Sequence, residues 1–305
     1  MPNWTKKTHQ PLITIIQCCK IMKKWNTEKI IALLVECGKI ALKYYDSPEF
    51  ELKHDRSIVT IADKTIEAML AAHFDRPSDN VYLIGEETVS EKSEDYIQNA
   101  LSETAWIVDP IDGTAPYAHH IPIWGISIGY MRKGQIEEGA IFLPATGEMF
   151  VTSADTVFYK SCSDGIPSWN FSDMKPITVV KRKLDDSGLI SITQEIAKSH
   201  KFDIINCIQA MGCAVFPMVY LCQGRLLAYI TSSHLKLWDY AAGIAILDKC
   251  GFSAKFLNGT DMTLNIFDDT KIEKRGMKRW ELKEMVIFTP YNDTFTFLKN
   301  KIKSL

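Results

Sequence analysis

Apolar residues recur three or four positions apart between residues 25 and 45, after an Asn26 or Thr27 that is suited to cap a helix. The same spacing over residues 65 to 74 predicts a second helix, which begins near residues 60 to 63. A helix with apolar residues along one face must bury that face against another element. The first part of the chain is therefore predicted to contribute two helices to a hydrophobic core.

Shorter apolar runs bounded by turn residues predict β-strands. They cover residues 81–84, 105–108, 123–131, 139–150, 189–193 and 226–231. The first run is followed by Glu86 and Glu87 and the second by Asp109, so both strands deliver acids at their carboxyl ends. Pro110 cannot donate a hydrogen bond to a neighbouring strand, and we therefore expect the second strand to stop there.

The segment from residue 204 to residue 224 carries no charged side chain and has about the length of a membrane-spanning helix. It contains several polar residues and a proline, however. A strand, a tight turn at Gly212 and a helix buried between layers account for it better. Helices are also predicted over residues 194–198 and 240–250. The pattern as a whole predicts an α/β (α+β) layered sandwich of alternating helix and mixed-sheet layers.

A loop rich in Ser, Asp, Gly and Pro over residues 161–174 is the expected seam between two halves. The predicted organisation is an N-terminal extension over residues 1–21, an α+β half over residues 22–160 and an α/β half over residues 161–305. The amphipathic pattern begins only after the extension, whose apolar stretch is too short for a secretion signal. We therefore expect its deletion to leave activity and solubility unchanged.

The composition of the 305 residues, 46% hydrophobic and 24% charged, is typical of a globular protein with a large core. A net charge of -2 provides no polybasic surface, so neither nucleic acid nor a membrane is an expected partner. Eight cysteines without a C-x-x-C pair or zinc-type spacing indicate thiols in a reducing compartment, and a cytoplasmic location is expected. Any bound phosphate must be held locally, by metal ions or by backbone amides.

The segment Asp109-Pro-Ile-Asp112-Gly-Thr114 carries the most chemical information in the sequence. The turn that Pro110 imposes lets two carboxylates converge on one point, and Gly113 lets the backbone approach a ligand closely. Neighbouring carboxylates repel each other unless a cation lies between them, and oxygen ligands without His or Cys favour Mg2+. Taken alone, the segment is also compatible with a turn in which each Asp caps a backbone amide.

Further acids lie where predicted elements end or begin. Asp63 is at a helix start, Glu86 and Glu87 follow a strand, and Asp239 precedes a helix. Each has a simple structural interpretation, because the two aspartates would serve as helix N-caps and the glutamates as solvated acids. Together, however, they predict that carboxylates from several elements gather at one site.

Short blocks of sequence surround these acids, at Ile58–Asp63, Ile84–Glu87, Trp106–Thr114 and Leu237–Gly243. In their order and approximate spacing they resemble the inositol monophosphatase-like family of lithium-sensitive, magnesium-dependent phosphatases. The resemblance implies an inositol monophosphatase/fructose-1,6-bisphosphatase-like fold and hydrolysis of a small phosphorylated metabolite by metal-activated water. It also implies two or three Mg2+ per active site, inhibition by lithium and calcium, and a homodimer.

The resemblance implies metal ligands as well. Glu86, Asp109 and the Ile111 carbonyl would hold one Mg2+. Asp109, Asp112 and Asp239 would hold a second, and Glu86 would also contact a third, weaker ion.

Roles at the substrate follow from the same resemblance. Asp63 would pair with the Thr114 hydroxyl, and Glu86 together with Thr114 would orient the attacking water. These three residues form the implied catalytic group. The implied phosphate-binding set is Asp112, Gly113, Thr114 and Asp239.

The sequence departs from the family's pattern near the substrate. Ser232 lies where the inositol-recognising members carry a Glu, so a preference for inositol does not follow. Lys53 is near the position of a lysine that some members use to hold water at the metal site. His119 and His120 would either touch substrate or lie at the surface, which is the commoner place for loop histidines.

Two functions of different class remain open. In the first, the protein is a phosphatase that acts on a polyol phosphate, histidinol phosphate, a sugar bisphosphate or a nucleotide 3′-phosphate. In the second, it is a non-catalytic regulator that binds metal and a phosphometabolite. The full set of acids expected of a working site favours the phosphatase, since binding alone needs fewer.

Overall fold

A computed structural model describes residues 21–53, 57–162, 169–269 and 280–305. In these ranges the helices are α1 (Thr27–Tyr45), α2 (Ile61–Phe74), α3 (Glu94–Ser102), α4 (Thr114–Ala118), α5 (Gln194–Ser199), α6 (Val215–Cys222), α7 (Leu237–Lys249), α8 (Ile266–Asp269) and α9 (Asn292–Lys299). The strands are β1 (Phe50–Leu52), β2 (Ile58–Thr60), β3 (Val81–Gly85), β4 (Thr104–Asp112), β5 (Gly125–Arg132), β6 (Gln135–Leu143), β7 (Glu148–Ser153), β8 (Thr156–Ser161), β9 (Lys175–Pro176), β10 (Ile190–Ile192), β11 (His200–Phe202), β12 (Ile208–Gln209), β13 (Ala228–Thr231), β14 (Ser253–Phe256), β15 (Val286–Thr289) and β16 (Ile302–Ser304).

Strands β3 to β9 form a seven-stranded sheet in chain order. β3 and β4 are parallel, whereas each strand from β4 to β9 runs antiparallel to the next. Successive residues of a strand face opposite sides, so Trp106 and Val108 of β4 pack with α1 and α2, while Ala105 and Ile107 pack with α6 and α7. The sheet is therefore buried on both faces, and the antiparallel strands predicted from residues 123 to 150 are confirmed.

The second sheet has the order β12-β10-β13-β15-β14 and is mixed. β10 lies parallel to β12 and β13, and β15 lies antiparallel to β13 and β14. Tyr229 and Phe288 of one face join the core around α6 and α7. The other face joins a core that includes Ile196 of α5 and Phe295 of α9. The layers are thus helices, sheet, helices, sheet and helices, which confirms the predicted layered sandwich with mixed sheets.

The starts of the first two helices follow from local capping. The Asn26 side chain accepts a hydrogen bond of 3.0 Å from the Lys29 amide, so the predicted N-cap of α1 is confirmed. At α2 the cap is Thr60, and the Asp63 carboxylate bonds back to the Thr60 amide. The interpretation of Asp63 as the N-cap is therefore wrong. Asp63 lies three residues after the cap, in the first turn of the helix, where it completes the reciprocal capping box.

The expected end of a strand at Pro110 is wrong. β4 continues to Asp112, with a shift in its pairing with β5 between Asp109 and Asp112. A proline is tolerated at such an irregularity, because the residue there need not donate a hydrogen bond to the neighbouring strand. The two carboxylates are brought together by an irregular strand end and not by a turn that begins at Pro110.

The uncharged segment forms the predicted strand, turn and buried helix. β12 is followed by Gly212 with φ of 74°, a backbone conformation that favours glycine, and then by α6. α6 packs between the two sheets. Among the described residues, none of the helices has both the length and the apolar character that crossing a bilayer requires. α7 begins at Leu237, three residues before the predicted start, so Asp239 lies in its first turn and not at its N-cap.

The division into an extension and two halves remains a prediction. Residues 1–20 and residues 163–168 of the expected seam lie outside the described residues, as do the adjacent Cys18 and Cys19. Met22 is buried, and its carbonyl accepts a hydrogen bond of 3.0 Å from the Trp106 indole. A truncation that tests the extension should therefore keep Met22.

Candidate active site

Three carboxylates from β4 and α7 converge on one point. Asp109 and Asp112 lie in the last residues of β4, and Asp239 lies in the first turn of α7. A ligand oxygen from each lies within 4.8 Å of those of the other two. This is the spacing that oxygen ligands of one divalent cation need.

Small residues allow α7 to bring Asp239 to the end of β4. Gly139 of β6 lies so close to the helix that an added Cβ would collide with the backbone of Ala242. The Ser127 hydroxyl donates a hydrogen bond of 3.2 Å to the carbonyl of Trp238, the residue before Asp239. The glycine contact and this hydrogen bond fix the position of the helix on the sheet, and with it the position of Asp239.

Asp112 is held by the start of α6. Its Oδ2 accepts hydrogen bonds from the Cys213 thiol at 2.9 Å, the Ala214 amide at 2.7 Å and the Val215 amide at 2.6 Å. Burial raises the pKa of Asp112, although these donors offset part of the effect. A turn at Gly212 was predicted, but the hydrogen bonds from the following residues to Asp112 were not. Those hydrogen bonds join positions far apart in the chain, which the sequence pattern does not reveal.

Asp109 is almost fully buried, and its Oδ1 has no hydrogen-bond partner among the described residues. Burial, followed by the negative charges of Glu86, Asp112 and Asp239, raises the pKa of Asp109 well above its usual range. Burial and the charge of Asp112 likewise raise the pKa of Asp239 well above its usual range. Burial and mutual repulsion therefore oppose the simultaneous ionisation of these carboxylates.

Glu86 follows β3 at the same end of the sheet. The Lys53 ammonium lies 3.2 Å from Glu86 Oε1 and 2.9 Å from the Glu87 carboxylate. Burial raises the pKa of Glu86, and Lys53 offsets part of that rise. Burial alone would lower the pKa of Lys53, but the two glutamates outweigh it and the pKa is raised. Lys53 therefore supplies positive charge at this edge of the acid cluster.

Glu67 anchors the loop that carries Glu86, a role that the sequence analysis missed. Its two carboxylate oxygens accept hydrogen bonds from the amides of Glu87 and Thr88, each at 2.9 Å. The side chain is buried in α2, four residues after Asp63 and so on the same helix face. That spacing could have indicated the role of Glu67, since a glutamate on a buried helix face requires hydrogen-bond partners.

Replacing Gly85 with Ala is expected to loosen this anchor and to lower the free energy of unfolding by about 1–3 kcal/mol. An added Cβ would lie 2.5 Å from the carboxyl carbon of Glu67 and displace it from the two amides. Glu67→Gln should give a loss of similar size, because one amide loses its acceptor. Urea unfolding measures both variants. Glu36→Gln, which touches only an exposed pair with Lys39, is the control and should change stability little.

The side chains of Asp63 and Thr114 each form hydrogen bonds with a residue close by in the chain, and not with each other. Asp63 Oδ2 accepts hydrogen bonds from the Thr60 amide at 2.8 Å and the Thr60 hydroxyl at 2.5 Å, while the Thr114 hydroxyl donates to the Ile111 carbonyl at 3.0 Å. The implied pairing of Asp63 with Thr114 is therefore not formed in this structure. Local side-chain to backbone hydrogen bonds compete successfully with the longer-range contact.

Asp63 nonetheless belongs to the electrostatics of the site. Its Oδ1 is buried without a hydrogen-bond partner among the described residues. Burial, with smaller contributions from the charges of Glu86 and Glu87, raises the pKa of Asp63 to about 7. Asp63 in turn contributes to the raised pKa of Asp109. A free, buried carboxylate oxygen is thus present at the start of α2.

Gly113 permits the sharp change of direction between β4 and α4. Its φ is 87°, and an added Cβ would come within 2.9 Å of the Ile123 carbonyl oxygen, so a side chain is excluded on both grounds. α4 begins at the next residue, Thr114. The Ile111 carbonyl, implied as a metal ligand, accepts a hydrogen bond from the Thr114 hydroxyl.

His119 and His120 lie at the surface. Both are exposed; the His119 ring is 6.4 Å from that of Phe50, and the His120 ring is 5.5 Å from that of Tyr45. Neither lines the cavities beside the acid cluster. The surface interpretation fits these two histidines.

Two cavities open beside the acids. One, of about 240 Å³, is lined by Asp112 and Asp239 and extends to Thr193. The other, of about 420 Å³, is lined by Glu86 and Asp239. Glu195 borders both of them. A small metabolite could therefore reach the acids from this side.

The donor chemistry of the site fits a hard divalent cation such as Mg2+. The converging ligands are carboxylates, and the one nearby thiol, that of Cys213, already donates its hydrogen to Asp112. The orphaned oxygens of Asp109 and Asp63 and the mutual repulsion of the acids mark positive charge as what the site needs. Asp109, Asp112 and Asp239 are the residues best placed to hold a cation, with Glu86 beside them.

Comparison with known proteins agrees across sequence and structure. The model of the inositol monophosphatase family matches residues 25–282. An inositol-1-monophosphatase of Bacillus subtilis is 25% identical over 271 residues, which are 86% of this chain and 90% of the relative. The solved structure of a Thermotoga maritima IMPase superimposes with a TM-score of 0.66 at 20% identity, covering 89% of this chain and 95% of that one.

A solved IMPase/NADP phosphatase complexed with Mg2+ and phosphate is also similar. Its TM-score is 0.61 at 17% identity, and the match covers 88% of this chain and 93% of that chain. At this identity the likeness shows a common fold. The family match extends over every acid of the site described above, from Asp63 to Asp239.

Proposed function

The chain belongs to the inositol monophosphatase family, whose members are phosphoric monoester hydrolases, and we propose that it is a magnesium-dependent phosphatase of a small phosphorylated metabolite. The observation that carries the proposal is the convergence of the Asp109, Asp112 and Asp239 oxygens within 4.8 Å. That the solved IMPase/NADP phosphatase is complexed with Mg2+ and phosphate supports the choice of ion.

Bound Mg2+ would supply an activated water as nucleophile and would neutralise charge on the phosphate oxygens. Asp109, Asp112 and Asp239 would hold the ions, with Glu86 at the edge nearest Lys53. The hydrogen bonds from α6 fix Asp112 before any substrate arrives. This chain's own contribution is therefore to position charge in advance, which is the main requirement of phosphoryl transfer to water.

The remaining catalytic assignments are part of the same proposal. Glu86 and Thr114 would orient the attacking water, and Asp63 would assist through the electrostatics that it shares with Glu86. Gly113 and Thr114 would contact the phosphate at the start of α4. The Ile111 carbonyl, which accepts the Thr114 hydroxyl in this structure, has a second lone pair with which it would serve as a metal ligand.

Phosphate release from a panel of esters tests the proposal. The full chain should hydrolyse at least one of inositol 1-phosphate, histidinol phosphate, fructose 1,6-bisphosphate and adenosine 3′-phosphate with Mg2+, and none of them after chelation with EDTA. Lithium and calcium should inhibit, because they would occupy the oxygen ligands without supporting turnover. If neither Mg2+ nor Mn2+ supports hydrolysis of any ester, the non-catalytic regulator becomes the better explanation.

A cytoplasmic homodimer completes the proposal. The free thiols among the described residues, including Cys37, Cys213 and Cys222, are consistent with a reducing compartment. The homodimer is implied by the family resemblance, and the mass of the protein in solution measures it.

A further inference from the structure

The charged side chains that line the cavity of about 240 Å³ beside the acid cluster are all acidic. Asp112 and Asp239, which belong to that cluster, line the cavity together with the exposed Glu195. None of the described residues that line it is Lys, Arg or His. Ions bound to Asp112 and Asp239 would neutralise these two aspartates and the phosphate, but would leave the charge of Glu195 uncompensated.

Glu195 is presented from a fixed position. The Thr193 amide donates to the Ile230 carbonyl at 3.1 Å, and the Ser232 amide donates to the Thr193 hydroxyl at 3.2 Å. The Glu195 carbonyl accepts a hydrogen bond of 2.6 Å from the Ser199 hydroxyl. Hydrogen bonds thus join the residue before α5 to β13 and to Ser232, and another joins the two ends of α5. The backbone that carries Glu195 is therefore held in place beside the cavity.

Cations in the neighbouring cavity are already engaged. Lys53 pairs with Glu86 and Glu87, and the Lys236 ammonium lies 3.2 Å from the Glu281 carboxylate. Neither is available to a second anionic group on the substrate without the loss of an existing ion pair.

A third cavity, of about 640 Å³, is also bordered by Glu195 and is lined by Lys198 and Lys283 as well as Glu284. The Lys283 ammonium donates to the Asp268 carbonyl and lies over the Phe256 ring. Lys198 is the cation through which a longer substrate could place a second anionic group. Such a group would lie in a cavity that Glu195 also borders.

We propose that Glu195 selects phosphomonoesters whose phosphate is their only anionic group and whose organic part donates a hydrogen bond through a hydroxyl or ammonium group. Its carboxylate would accept that hydrogen bond, whereas a second phosphate or a carboxylate at the same place would be repelled by a like charge. The inference rests on the proposed phosphatase function and deepens it, since it separates polyol and amino-alcohol phosphates from bisphosphates.

Steady-state hydrolysis by the full chain with Mg2+ tests the inference. We expect kcat/KM for inositol 1-phosphate or histidinol phosphate to exceed that for fructose 1,6-bisphosphate by at least about tenfold, the effect of one nearby charge at moderate screening. Glu195→Gln should reduce this ratio to near one, mainly through KM. Glu284→Gln removes an acid that lines only the third of these cavities and should leave the ratio unchanged.

Three outcomes would overturn the inference. They are equal or better hydrolysis of the bisphosphate by the unaltered chain, an unchanged ratio in Glu195→Gln, or a bisphosphate preference that Lys198→Gln abolishes. Each of these still includes phosphate release and so leaves the proposed function intact. The absence of hydrolysis of every ester would reject both together. The thermal midpoint of each variant shows that it is folded.

Discussion

Replacing Asp239 with Asn is expected to lower kcat by at least about a hundredfold while making the metal-free protein more stable. The amide oxygen of Asn can still accept the 2.8 Å hydrogen bond from the Lys236 amide, so the start of α7 is preserved. The substitution removes one of the negative charges that raise the pKa of Asp109. Activity and stability should thus move in opposite directions, which a general packing defect would not produce.

Asp112→Asn is the informative comparison. It should lower kcat as much as Asp239→Asn does, but without the gain in stability. The Asp112 carboxylate accepts three hydrogen bonds from the start of α6, and the neutral amide would accept them less strongly. Asp203→Asn, which alters only an exposed pair with Lys301, should change neither quantity. Phosphate release and thermal unfolding measure the series. Near-normal turnover in Asp239→Asn would contradict the proposed metal roles.

Raising the pH is expected to destabilise the metal-free protein. The folded-state pKa of Asp63 is raised to about 7 by burial and by nearby glutamates, and burial raises the pKa values of Asp109 and Asp239 well above their usual range. These three groups therefore bind more protons in the folded chain than in the unfolded chain above about pH 4, the ordinary pKa of Asp. The stability contributed by these groups is complete below that pH and is lost as the pH rises through the folded-state pKa values.

We therefore expect the thermal midpoint in EDTA to fall by on the order of 5 °C between pH 5 and pH 8. Mg2+ should restore it most strongly at pH 8, where the ligands are most readily ionised. At a hundred times the dissociation constant, the ion would add about 2.7 kcal/mol. Thermal scans with and without Mg2+ at both pH values measure the effect. A metal-free midpoint that rises with pH, or a Mg2+ effect that is larger at pH 5, would contradict the expectation.

Local pattern was sufficient for much of the fold. Asn26 caps α1 as expected because an N-cap depends on residues within one turn, and the antiparallel strands between residues 125 and 153 were readable from alternation and intervening turns. Pro110 misled the prediction of β4, because whether a proline ends a strand depends on whether the neighbouring strand requires a donor at that position.

The candidate site was predictable where acids stand at element ends and unpredictable where distant groups meet. Asp109, Asp112 and Asp239 were identified and are brought together. Glu67 and Cys213 were missed, because their partners lie on other elements and a single sequence does not reveal such pairs. The Asp63 to Thr114 pairing was expected from the family and is replaced by local hydrogen bonds.

The dispersal of the ligands along the chain has a consequence for biosynthesis. Asp109 and Asp112 lie in the first sheet, whereas Asp239 arrives only when α7 packs against that sheet. A nascent chain still on the ribosome, or one clipped before α7, would hold an incomplete set of ligands. Since docking of α7 creates the crowding of negative charge, divalent ions in the surrounding solution would favour that late step, and the full set of acids would assemble only once α7 has been synthesised and has docked.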